Sequence, residues 1–207
     1  MKALLLAMDR WIANGTAPPP SRYPRLADGT LVAANRLQFP RIPGVTTSTA
    51  VHRAYRADYG PRFINDGVIA IEPPKIGTAF PILVPQVDGD GNGLAGVRMP
   101  DLAVPLATYT GWNLFNARSG PSTELSSMQG SYIPLARTSA ERKRTGDPRL
   151  SIEERYRDKD AYIGLIGKAA LDLIDQRFLL GEDLPVILRN AGRHWDYLAS
   201  TSVPSTR

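Results

Sequence analysis

Cysteine is absent from the 207 residues, so disulfides, thiol nucleophiles and cysteine-ligated zinc are excluded together, while the redox compartment stays open. Histidine is nearly as scarce. His52 and His194 are the only two, and neither stands at a spacing that pairs it with a second metal ligand. No apolar run approaches the roughly 18–20 residues that cross a bilayer. The run near the start, ALLLAM, meets Asp9 and Arg10 at once and lacks a small-residue cleavage site, so it is neither a membrane span nor a signal peptide. The G-x-S-x-G elbow of serine hydrolases does not occur, nor does either common glycine-rich phosphate loop. No cofactor is expected.

What is present is ordinary for a soluble globular chain: 43% hydrophobic and 22% charged residues. The length suits one domain, or one domain with an extended arm. The net charge of +5 is local, because residues 20–62 carry seven arginines against Asp28 and Asp58 alone. These arginines are scattered through a proline-rich stretch rather than clustered on one face with aromatics, so no nucleic-acid partner is expected.

Residues 2–20, KALLLAMDRWIANGTAPPP, organise the rest. Leu4, Leu5, Met8, Trp11 and Ile12 share one helical stripe, and Gly15 with Pro18, Pro19 and Pro20 gives a doubled stop signal. Nothing before residue 2 can cap this helix, which leads to the expectation that the chain begins mid-structure. Residues 16–66 hold seven prolines with no sustained periodicity and read as an arm laid along a surface, since Tyr23, Leu26, Leu37, Phe39 and Ile42 are too apolar for disorder.

Short β-rich runs follow at 68–72, 81–87, 94–98 and 103–109. DGDGNG at 88–93 joins two of them as a hairpin turn. The last third is helical. Ser139 caps a short helix, Ser151 and Glu154 form a capping box, and helices over about 158–178 and 183–199 make a helical hairpin. The expected class is α+β: an N-terminal amphipathic helix (1–15), a Pro/Arg-rich irregular arm (16–66), and a tail (67–207) with a small antiparallel sheet, its hairpin and the helical hairpin.

Three candidate sites stand out. Asp88, Asp90 and Asn92 match the first oxygen positions of a calcium loop, but the twelfth position, which needs a bidentate acid, is Met99. A metal-free turn is expected instead. Ser119, Ser122 and Ser131 lie near glycines at turn-like positions rather than at a nucleophile elbow. Tyr109, Trp112 and Asn113, where a strand enters a polar-aromatic loop, are the candidate substrate-lining residues; the competing reading is a Trp packed between sheet and helices.

The strings LLLAMDRWIANGTAPPPSRYPRLADGTLV, HRAYRADYGPRF, FPILVPQVDGDGN, VPLATYTGWNL, GSYIPLARTSAER and GDPRLSIEERY resemble bacterial α/β-hydrolase domain-containing proteins. The segment from Trp11 to Pro18 is also similar to the closing core helix of feruloyl-esterase- and tannase-like hydrolases. The resemblance implies a serine-type hydrolase acting on an ester or related acyl bond. It also implies that the nucleophile, acid and histidine precede the matching segment, so that no catalytic residue falls in this chain and Met1 is internal.

On that view the chain is a C-terminal fragment, inactive alone, whose partner is a missing N-terminal hydrolase core and whose uncovered first helix favours self-association. The resemblance implies an exported parent with its signal peptide ahead of Met1; the sequence itself does not fix localisation. The alternative is an independent non-catalytic interaction or ligand-binding module.

Overall fold

Gly15, at φ 72°, closes the first helix, α1 (Lys2–Asn14), and its amide returns to the Trp11 carbonyl at 3.0 Å. A left-handed residue here satisfies a carbonyl that the helix end would otherwise leave open. The computed structural model describes residues 1–48, 53–115, 124–126 and 128–200. His52, Ser119 and Ser122 lie outside them.

Helix α1 is seated by its small residues. Ala3 and Ala7 are buried in a crevice shared with Ile174, Leu179 and Gly181, and Lys2 Nζ reaches Asp183 at 2.7 Å. The large stripe points away: Leu5 is 66% exposed and Ile12 78%. Alanine permits close approach to residues 179–181, so the small face settles inward and the apolar stripe has no cover within the described residues.

The arm contains more regular structure than its prolines suggested. Strand β1 (Leu31–Ala33) runs into a 3₁₀ turn (Ala34–Arg36), and β2 (Tyr55–Asp58) precedes the single turn α2 (Phe63–Asp66). Polar contacts tie the arm to the chain's own tail. Arg177 donates to the Ala17 carbonyl at 3.0 Å, Arg22 lies 5.1 Å over the Phe178 ring, and the Gln86 amide bridges Gln38 N and Arg36 O at 3.0 and 3.2 Å.

The expected small sheet is three separate antiparallel pairs. Strand β1 pairs with β4 (Leu83–Pro85), β2 with β3 (Lys75–Ala79), and β5 (Ala107–Tyr109) with β6 (Tyr132–Pro134). Two expected strands are not formed. Residues 68–72 fold back instead, the Ala70 and Ile71 amides both donating to the Tyr59 carbonyl, and Pro73 and Pro74, which lack amide donors, stop a ladder there. Residues 94–98 form no strand, so the DGDGNG turn closes only a single antiparallel bridge, Val87 to Gly93, with the Leu94 amide donating to the Gln86 carbonyl at 3.0 Å. Before β5, Pro100 starts a turn of helix, α3 (Pro100–Ala103), as proline does at a first helical position.

The tail follows its capping signals. Thr138, one residue before the expected cap, accepts the Glu141 amide and starts α4 (Ser139–Thr145). Ser151 and Glu154 form the full capping box of α5 (Ile152–Arg155). Asp158 caps α6 (Lys159–Asp175) through the Ala161 amide at 2.8 Å, and the turn at Gly181–Asp183 leads into α7 (Leu184–Ser200).

The core lies where α5, α6 and α7 meet β5 and β6, around Leu106, Leu135, Ile152, Tyr156, Tyr162, Ile166, Ala191 and Leu198. Tyr162 packs at 5.1 Å from Tyr156 and 5.2 Å from Trp195. The buried stripe of α6 is Tyr162, Ile166, Ala170 and Leu173, whereas Leu165 is 44% exposed.

Candidate functional site

The β5–β6 pair and the described ends of its loop position Tyr109, Trp112, Asn113 and Ser131. Strand β5 is held on both edges. On one, Thr108 pairs with Ile133 and Tyr109 with Tyr132. On the other, buried Asn92 acts as a substitute strand, its Nδ2 donating to Ala107 O at 3.1 Å and its Oδ1 accepting the Tyr109 amide at 2.8 Å. The DGDGNG turn therefore carries its asparagine inward to a backbone, as an amide with both donor and acceptor can do. Its acids are engaged by arginines: Asp88 Oδ2 meets Arg98 at 2.7 Å, and Asp90 pairs with Arg155. Asp88 Oδ1 also accepts the Asp90 and Asn92 amides at 3.0 Å each. Among the described residues no group of three or more His, Asp or Glu is placed to hold a metal ion.

Just beyond β5 and just before β6, Thr110 and Gly130 approach each other closely. A Cβ on Gly130 would lie 2.2 Å from the Thr110 carbonyl oxygen, so only glycine admits this approach. Ser131 N donates to Thr110 Oγ1 at 2.9 Å, and Ser131 Oγ to the Trp112 carbonyl at 2.9 Å. Ser131 thus fastens the loop. Trp112 and Asn113 line a cleft of about 380 Å³ with Phe115 and Ser131, closed on the arm side by Val45 and Thr46. Phe39 of the arm packs on Trp112 with ring centres 5.7 Å apart. Asn113 Oδ1 accepts the Leu114 amide at 2.9 Å.

Tyr109 is not among the residues lining that cleft. Its ring meets Tyr132 edge-on at 5.6 Å, and the Tyr132 hydroxyl lies 2.5 Å from His194 Nε2 on α7. The structure brings Trp112 and Asn113 together and sets Tyr109 in a second cluster with Tyr132 and His194. Burial pushes the Tyr132 hydroxyl up to about 12 and raises Tyr109 as well, so both phenols stay neutral at physiological pH. Burial lowers His194 below its ordinary value, partly offset by nearby Asp101, which keeps the imidazole neutral as a partner for Tyr132.

The one described histidine thus pairs with a tyrosine rather than with a serine. Phe39, Tyr132 and His194 were not legible as site residues. Tyr132 belongs to a strand of three residues, too short for an alternating pattern, and His194 sits inside an ordinary amphipathic helical repeat.

No curated protein and no solved structure matches the chain. Residues 1–189, by contrast, match a family model described as an alpha/beta hydrolase domain. That match spans α1, the arm, the three strand pairs and the start of α7, and on this ground the chain belongs to the alpha/beta hydrolase domain family.

Proposed function

We propose that this chain is the non-catalytic C-terminal part of a serine-type hydrolase acting on an ester or related acyl bond. It closes the catalytic core through α1 and shapes the substrate entrance with the cleft at Trp112 and Asn113; Tyr109 stiffens the strand behind them. The observation that carries this reading is the uncovered stripe of α1. Leu4, Leu5, Met8, Trp11 and Ile12 stand between 44% and 78% exposed, although a fully buried side chain of this kind contributes about 1.5–3 kcal/mol.

Two further observations support it. An α/β-hydrolase core is built on a mostly parallel sheet flanked by helices, yet every strand pairing among the described residues is antiparallel. The 207 residues also contain no G-x-S-x-G. The partner layer that would bury the stripe is therefore a hydrolase core carrying the nucleophile.

Complementation tests the reading. A nucleophile-bearing core from a family member, expressed separately, should bind this chain at one to one and gain esterase activity. Leu5→Glu with Ile12→Glu should abolish both. Because these side chains are already exposed, the double variant should retain the stability of the isolated chain to within about 0.5 kcal/mol. Binding and activity unaffected by the double variant would refute docking through α1.

A further inference from the structure

Strand β2 is exposed at all four residues. Its only strand partner among the described residues is β3, and no other described helix or strand packs substantially on the pair. A two-stranded ribbon standing alone is marginal in water, and its free edge is a template for a further strand.

The edge has a defined polarity. The Phe80 amide donates to the Ala54 carbonyl at 2.9 Å, which turns Ala54 toward β3, so by alternation the N–H and C=O of Tyr55 and Ala57 face outward. The irregularity between Tyr55 and Ala57 falls on β3, where the partners step from Ala79 to Ile76. Strand β2 itself keeps a regular edge.

Its sequence around that edge is Arg56-Ala57-Asp58, opposite charges placed symmetrically about a small residue. We propose that β2 pairs antiparallel with β2 of a second copy across a two-fold axis through Ala57. In that register the outward Ala57 amide of each chain donates to the Ala57 carbonyl of the other. Arg56 of each copy then stands opposite Asp58 of the other, giving two cross-strand ion pairs from one patch, as an isologous interface requires. Sliding by one residue sets Arg56 opposite Ala57 and loses both.

The side chains are prepared for this. Arg56 is held 4.6 Å over the Phe80 ring and has no carboxylate partner among the described residues. Asp58 spends Oδ1 on the Gly60 amide at 2.8 Å, leaving Oδ2 for the incoming guanidinium. The product is a four-stranded sheet ordered β3–β2–β2–β3, with Tyr55, Ala57 and Ile76 of both copies along one face. This goes beyond the hydrolase reading and uses neither α1 nor the cleft.

Sedimentation equilibrium of the whole chain tests it with charge swaps. The wild type should dimerise, and both Arg56→Asp and Asp58→Arg should raise the dimer dissociation constant about tenfold or more, since each sets like charges face to face. Mixing the two variants should restore association, because one chain then presents two carboxylates along this edge and the other two guanidiniums, each opposite its complement. Misfolded chains would not complement in this way. A monomeric wild type, a dimer indifferent to both swaps but lost with Leu5→Glu and Ile12→Glu, or variants that fail to complement would overturn the proposal.

Discussion

Arg149 and Asp147, two residues apart, form a buried bidentate pair: Nε reaches Oδ1 at 3.0 Å and Nη2 reaches Oδ2 at 2.6 Å. The same guanidinium donates to Thr108 Oγ1 at 2.8 Å and to the Ile133 and Pro134 carbonyls at 3.0 Å each. One cation thus joins both strands of the β5–β6 pair to the turn before α5. With Arg149 only 3% exposed, its charge has no recourse to water.

Asp147→Ala should therefore cost about 3–5 kcal/mol, the penalty of leaving a buried cation unpaired. Urea unfolding followed by circular dichroism measures it. A loss below about 1 kcal/mol, the range of a surface ion pair, would contradict the burial of this pair.

Glu154 gives the chain an acid-sensitive helix start. Its carboxylate accepts Ser151 Oγ at 2.6 Å and Ser151 N at 2.9 Å, and Arg142 donates to it at 3.0 Å. The Ser151 bonds first, then Arg142, hold its pKa down at about 2. A carboxyl group lowered on folding stabilises the fold above its unfolded value, 4.5, and that contribution is lost as pH falls toward 2. Carbon NMR should place the titration near 2, and Glu154→Gln should flatten the decline in stability over that interval. A Glu154 titrating near 4.5 would mean that the capping box does not hold in solution.

Tyr162 is fully buried, and its hydroxyl finds no hydrogen-bond partner among the described residues. Burying a hydroxyl unpaired costs roughly 1–3 kcal/mol. Tyr162→Phe keeps the ring contacts with Tyr156 and Trp195 and removes the polar atom, so it should be neutral or stabilising by about 1 kcal/mol. A destabilised variant in thermal or urea unfolding would reveal a partner for that hydroxyl.

The helical tail was legible because its information is local. Ser151 with Glu154 and the Asp158 cap announce helix starts within a few residues, and the tail elements begin within one or two residues of those signals. The strands were less legible. Residues 68–71 are apolar and mostly β-branched, yet the Ala70 and Ile71 amides turn to Tyr59, a partner that no local pattern reveals. The β1–β4 and β5–β6 pairs join segments about 50 and 25 residues apart through ladders of three residues, too short for an alternating signature. In α1 the periodicity and the exposed stripe were legible and the seating was not: Ala3 and Ala7 settle against residues 179–181, a contact between distant segments that no local pattern announces.

The candidate site was legible in part. Trp112 and Asn113 share a cleft, but Val45 and Thr46 reach it from an arm whose path is set by tertiary contacts such as Gln86 with Gln38. Tyr109 belongs to another cluster because it is the last residue of β5 and meets its ladder partner Tyr132, whereas Trp112 lies beyond the strand end, which its closeness in sequence conceals.

On the proposed function this polypeptide carries no hydrolytic nucleophile of its own. The most direct measurement is intact-protein mass spectrometry after incubation with a fluorophosphonate, with p-nitrophenyl butyrate turnover followed on the same sample. An unmodified mass and turnover indistinguishable from buffer are expected. Stoichiometric phosphonylation of one serine, with turnover that disappears when that serine is replaced by alanine, would contradict the proposed function.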